Sequence, residues 1–282
     1  MLSQLSRRQA LLALSLPFLP LSQRATAEEL DDFDAKFAEI RSSSENLSDA
    51  SNQSEAKELA RSGFAASQID VAKSRREISS RAIELIVFFE VSSESLYQKK
   101  YRGAIWPGRR SGVTVGVGYD LGYVSEERIH EDWRDFLGSD QISFLQSVAG
   151  LRGVEAREAA KTLAGVDIPF PVAFEQFKLE VLPRYIGLTE GALAKTSSLS
   201  GDSLGALVSL TYNRGASYTI SESQDKNGRY REMRAIRDHM ETGNLTSIGS
   251  EIRGMVRLWD IAEFPGLHKR RNLEADLYEA GL

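Results

Sequence analysis

The chain contains no cysteine. That excludes structural disulfides, thiolate metal ligands, a nucleophilic thiol and a lipid-modified cysteine anchor. Histidine is nearly as scarce. His130, His239 and His268 stand in no metal-ligand spacing with one another, so neither a metal nor a cofactor is expected. There is no basic surplus: 35 Lys and Arg face 40 Asp and Glu, a formal net charge of −5. Nucleic acid is therefore not the expected partner. A long apolar run is missing as well. The one candidate, Ala10 to Leu21, is interrupted by Pro17 and Pro20 and is too short to span a bilayer.

What is there at the N-terminus reads as an export signal over residues 1–27. Arg7 and Arg8 form its charged start, the broken apolar run comes next, and Ala25-Thr26-Ala27 supplies small residues for a signal peptidase. Ser6-Arg7-Arg8-Gln9-Ala10-Leu11-Leu12 is similar to a twin-arginine signal, with Ala10 where phenylalanine is usual. An ordinary secretory signal remains the alternative. Either route predicts a periplasmic or secreted protein with no stable membrane insertion after cleavage.

Residues 28–75 differ from the remainder of the chain. Leu30, Phe33, Phe37 and Ile40 recur at spacings of three and four, which predicts a short amphipathic helix. The stretch Ser42 to Asn52 is too polar to bury anything. This segment is expected to be a polar linker or a loosely packed helical arm. Residues 28–74 carry 11 acids and 5 bases, whereas residues 75–282 are nearly balanced.

From residue 76 to 282 the pattern is that of one globular domain, expected as a monomer. Ser79 or Ser80 caps a helix through Ile83, Ile86, Val87 and Phe89 that ends near Glu90. Ile105 to Tyr119, rich in glycine and valine, reads as a β-hairpin region. Helical periods run over 125–137, 141–149, 155–163, 172–182, 203–212, 230–242, 245–259 and 267–280, with Gly138, Gly243 and Gly281 as helix stops. The expected class is α+β: a small hairpin lobe, a larger helical lobe and a cleft between them.

Two groups of residues could carry chemistry. Glu90 closes the apolar run Leu85-Ile86-Val87-Phe88-Phe89 at a helix C-terminus. The helix dipole and apolar neighbours both disfavour its ionised form, as a general acid requires. A solvated glutamate at a frayed end is the plainer reading, and Glu94, expected in a loop, is the rival acid. In Ser111 to Asp120, an extended strand would put Val113, Val115 and Val117 on one face and Thr114, Gly116, Gly118 and Asp120 on the other. Glycines between the polar groups let a sugar ring approach the backbone. The plainer reading is a hairpin in which Asp120 steadies the turn before Gly122. Fully extended, Thr114 and Asp120 lie roughly 20 Å apart, so a joint role requires a bend at Gly116 or Gly118.

Phe88-Phe89-Glu90 followed by Gly112-Val113-Thr114-Val115-Gly116-Val117-Gly118-Tyr119-Asp120 resembles the catalytic core of the phage-type lysozyme superfamily. The order Glu, Thr, Asp looks most like the muramidase domain of pesticin. In ordinary phage lysozymes the aspartate precedes the threonine, and Gln98, Lys99 and Lys100 offer none there. Ala206 to Gly215 is similar to the central helix of these enzymes, and Leu258-Trp259 with Gly266 to Ala275 matches their C-terminal signature. The matches run from about residue 78 to 280.

The resemblance implies a lysozyme-like fold and hydrolysis of the β-1,4 bond between N-acetylmuramic acid and N-acetylglucosamine in peptidoglycan. Glu90 would be the acid, with Asp120 as base and Thr114 orienting a water in an inverting scheme. Gly116, Gly118, Asn213, Trp106 and Arg109 are expected at the substrate. For Asn213 the alternatives are helix capping and a hydrogen bond to the Trp259 indole. Arg270 and Arg271 are expected to pair with Glu274. The competing functions are a lytic transglycosylase, which needs only the acid, a non-catalytic peptidoglycan-binding module, and chitin or chitosan hydrolysis.

Overall fold

The computed structural model describes residues 21–43, with side chains from Glu28 onward, and residues 71–282 apart from Arg109. Most of the segment read as an export signal, residues 44–70 and Arg109 thus lie outside the described residues. The described chain is mainly helical and holds one two-stranded antiparallel sheet. None of its helices is long and apolar enough to cross a membrane.

Helix α1 (Leu21–Ser43) contains the amphipathic stripe read from the sequence. It is docked rather than loose, which corrects the expectation of a loosely packed arm. Phe33 and Phe37 are only 1 % and 4 % exposed, with Leu30 and Ile40 packed beside them. The Phe37 ring meets Phe88 edge-on at 5.4 Å. Lys36–Asp276, Arg81–Asp34 and Arg41–Glu84 ion pairs frame the contact. Being exposed, they contribute little beside the burial of two phenylalanines.

Helix α2 (Ser80–Val91) starts where Ser79 accepts the Ala82 N–H, the capping bond that serine supplies to an unpaired helix donor. It ends at Ser92, whose φ of 60° breaks the helical run directly after Glu90 and Val91. Ser93 then caps α3 (Glu94–Lys100). Glu94 therefore heads a helix instead of lying in a loop, because its serine neighbour restarts the chain at once.

The sheet consists of β1 (Thr114–Val115) and β2 (Tyr119–Asp120), with Ile105 bridged to the outer side of Thr114. Helices α4 (Glu126–Trp133), α5 (Ser139–Gln146) and α6 (Val154–Thr162) come next in the chain. Gly138 does not stop a helix; it stands before α5, at its N-cap. The period expected over 172–182 is longer in the structure. Helix α7 (Phe170–Gln176) continues through a π-helical segment, Phe177–Val181, into α8 (Leu182–Ala192). Proline ordinarily breaks a helix interior, but at Pro183 the widened turn before it displaces the backbone bond that proline cannot make.

Helix α9 (Gly201–Arg214) is the central element. Every residue from Ser203 to Arg214 is buried. A side chain at Gly205 would meet Ala82 Cβ at 2.2 Å, so this glycine lets α2 and α9 cross closely. Around it stand α10 (Arg231–Thr242), closed by left-handed Gly243 as expected, α11 (Ile248–Gly254) and α12 (Pro265–Ala280), with Pro265 at the position where a missing N–H costs nothing. One continuous core runs from Phe33 to Tyr278.

Candidate active site

Glu90 occupies the last turn of α2 and is 4 % exposed. The end of the helix and the burial both oppose its negative charge. Arg270 of α12 opposes them in turn: its Nη1 donates to Glu90 Oε1 at 3.0 Å. The same guanidinium donates from Nε to Glu274 Oε1 at 3.0 Å and from Nη2 to the backbone and hydroxyl oxygens of Ser209. Arg271 donates to Glu274 at 2.9 Å and to Asn213 Oδ1 at 3.2 Å. Both arginines pair with Glu274 as expected. The Glu90 contact is absent from the sequence reading, since it joins residues 180 positions apart. No local signal marks it, since α12 also carries Lys269, Asn272, Asp276 and Glu279 and its arginine pair reads as solvated.

The hairpin bends where the joint role of Thr114 and Asp120 requires it. Gly116 and Gly118 take positive φ, 58° and 72°, and the strand folds back so that Thr114 and Asp120 become direct cross-strand partners. The straight-strand picture, with valines on one face only, gives way to a tight turn buried on both sides. Asp120 Oδ1 accepts the N–H groups of Gly122 (2.9 Å) and Gly112 (3.0 Å). The turn-steadying role is thus present in the structure. Gly112 is required there, because a Cβ on it would stand 2.4 Å from that oxygen.

A small cavity of about 30 Å³ lies beside the hairpin, lined by Gly118, Asp120, Arg184, Tyr185 and Tyr212 among others. That is room for about one or two waters. Behind it, Asp132 accepts from Arg184 Nη2 at 2.5 Å and from the Tyr119 hydroxyl at 2.8 Å. Burial raises the Asp132 carboxyl above the usual range, and Arg184 and Tyr119 hold it down in part. Burial and Asp132 together push the Tyr119 phenol well above its ordinary value, so it remains a donor. Asp132, Arg184 and Tyr185 escape a sequence reading because each lies on a helix whose charged residues look solvated.

Helix α9 connects the two groups. Within one turn, Ser209 and Asn213 touch Arg270 and Arg271, while the Tyr212 hydroxyl donates to Val117 O in the hairpin at 2.7 Å. Glu90, Thr114 and Asp120 retain 4 %, 8 % and 7 % exposure, whereas Glu274 and Arg271 are sealed at 0 %. The Glu90 side chain by itself is 1 % exposed, the same as that of Arg270.

The remaining expected residues fare differently. Asn213 neither caps α9, whose C-cap is Gly215, nor meets the Trp259 indole. Its oxygen takes Arg271, and Trp259 Nε1 has no hydrogen-bond partner among the described residues. A charged donor competes better for one amide oxygen than an indole does. Trp106 is half-buried and its indole donates to Ser111 O at 3.2 Å, inside its own loop. Gly116 packs against the Trp133 ring, while Gly118 lines the cavity. In comparisons with known proteins, no family model and no curated protein matches the chain.

Proposed function

We propose that the chain is an exported muramidase of lysozyme-like fold, cleaving the β-1,4 bond between N-acetylmuramic acid and N-acetylglucosamine in peptidoglycan of the periplasm or cell surface. The observation that carries this reading is the register of the hairpin, which turns a sequence separation of six residues into the facing pair Thr114 and Asp120. A buried acid at the end of α2 is tied through Arg270 and Ser209 to the same turn of α9 that holds the hairpin through Tyr212.

In the proposed reaction Glu90 gives its proton to the glycosidic oxygen as the bond breaks. With Arg270 on Oε1, that proton is carried by the second carboxyl oxygen. Asp120 takes a proton from water attacking the opposite face of the sugar, and the Thr114 hydroxyl orients that water. Hydrolysis by this route inverts the anomeric centre. One observation favours a second reading. Asp120 Oδ1 is already held by two backbone donors, which suits a structural aspartate and a lytic transglycosylase that uses Glu90 alone.

Mass spectrometry of fragments released from purified peptidoglycan separates the readings. The expected result is hydrated reducing ends, reduced by at least about 100-fold in Glu90→Gln and in Asp120→Asn, which keeps the Oδ1 acceptor. Anhydro ends that persist in Asp120→Asn would establish the transglycosylase. No release by the unsubstituted protein would leave a binding module.

A further inference from the structure

The sealed network behind Glu90 has more donors than acceptors. Among the described residues, the buried side-chain atoms of this network without a hydrogen-bond partner are one acceptor, Glu274 Oε2, and five nitrogens from four neighbouring residues: Asn213 Nδ2, Arg214 Nε, Trp259 Nε1, and Arg271 Nε and Nη1. Their proximity is fixed by other contacts. Asn213 Oδ1 binds Arg271 Nη2 at 3.2 Å, and Arg214 is the next residue of α9. The Arg214 guanidinium lies 5.3 Å from the Trp259 ring centroid and 5.8 Å from that of Tyr230. His268 holds Trp259 in place through its backbone carbonyl.

Charge is unbalanced in the same sense. Arg214, Arg270 and Arg271 are buried with only Glu90 and Glu274 among them. Glu232, the next nearest acid, is already engaged by Arg231 and Arg257, and Asp225 by Arg234. Burial, with repulsion from Arg271 and Arg229, lowers the Arg214 guanidinium to about 9. A buried donor without an acceptor and a buried charge without a counter-charge are each costly. Water would answer the first and leave the second.

We propose that Asn213, Arg214, Trp259 and Arg271 form a seat for one small monovalent anion, of the size of a halide. The donor set accepts no cation, since none of the five atoms has a lone pair to offer. The burial of the lining residues limits the occupant to a few atoms. Bound there, the anion neutralises the surplus positive charge beside the arginines that hold Glu90 and Glu274. The site does not depend on the muramidase reading, because it is assigned from donors and charge alone.

The test is thermal unfolding of the full chain as chloride replaces gluconate at constant ionic strength. Binding to the folded state alone raises Tm logarithmically once chloride exceeds Kd, by about 3–6 °C at ten times Kd. In Arg214→Met, which removes the surplus charge and keeps the bulk over Trp259, the chloride-dependent rise is expected to vanish. In Trp259→Phe, where one donor is lost and an aromatic ring is kept, the chloride concentration needed for a given Tm rise should be roughly 2–10-fold higher. Equal melting in chloride and gluconate would show a water-filled site and overturn the proposal. So would an unchanged chloride response in the Trp259→Phe protein, a variant that serves even if Arg214→Met does not fold.

Discussion

At the scale of single residues, the hairpin depends on two positions where only glycine is comfortable. Gly116 has φ 58°, and a Cβ there would stand 3.1 Å from the Trp133 ring. Gly116→Ala is therefore expected to lower stability by about 1–3 kcal/mol, measured by urea unfolding. Thr114 and Asp120 would also lose their register, so activity should fall further than the loss of folded protein explains. This much is legible in sequence, because a bend between the two polar residues is a local requirement and glycines stand at the bend. The partner of Glu90 is not legible. Arg270 is brought to it by packing of α12 against α9, and nothing local marks one arginine of a consecutive pair as the buried counter-charge. For Asn213 the sequence points to the right place and the wrong partner, since the choice between Trp259 and Arg271 depends on side-chain positions that no periodicity encodes.

At the scale of elements, α1 joins the N-terminal arm to the site through a chain of rings. Phe33 meets Phe37 at 5.7 Å, Phe37 meets Phe88 at 5.4 Å, and Phe88 meets Phe89 at 5.1 Å. The Arg270 guanidinium lies 5.6 Å from the Phe89 ring. Phe33→Ala is expected to cost about 3–5 kcal/mol of docking energy. Hydrogen exchange would report it as faster exchange of amides 30–40 with little change in α9; an equal acceleration throughout would mean that α1 unfolds only with the whole domain. The stripe that makes α1 a helix is plain from spacing alone. What it packs on is not, because an amphipathic face specifies burial but not a partner, and the polar stretch after it suggests detachment. The π segment before Pro183 is hidden for a different reason: proline marks a break in hydrogen bonding, and a widened turn meets that need without ending the helix.

At the scale of the whole molecule, the helical periods and the glycine-rich hairpin suffice to read a mainly helical body with a small sheet. Their arrangement around α9 rests on long-range packing. Stability toward acid belongs to this scale. Burial tends to raise the Asp225 carboxyl, but the Tyr230 N–H, Arg234 and the Arg229 N–H outweigh it and set it below its ordinary 3.8. Burial likewise works against Glu232, and Arg257 and the backbone bring it below 4.5. A lowered carboxyl binds fewer protons folded than unfolded, so its contribution is full above the unfolded value and is lost as pH falls through the folded one. The stability gap between the unsubstituted protein and Asp225→Asn, about 1.5–3 kcal/mol at pH 7, should narrow below about pH 4, as chemical unfolding at stepped pH would show. A gap that stays constant down to about pH 2 would contradict that linkage.

The position of α1 also bears on maturation. A peptidase cut after Ala27 would remove the helix residues 21–27 and leave all four anchors, Leu30, Phe33, Phe37 and Ile40, in place. As it stands, the helix has no acid in its first turn. The trimmed helix would begin with Glu28, Glu29 and Asp31 close to the newly exposed ammonium group, acids at the end where exposed backbone N–H groups favour negative charge. Trimming would thus replace an opening turn that carries Arg24 and no acid with a better-matched one, and the processed N-terminus would be secured to the body from its first residues.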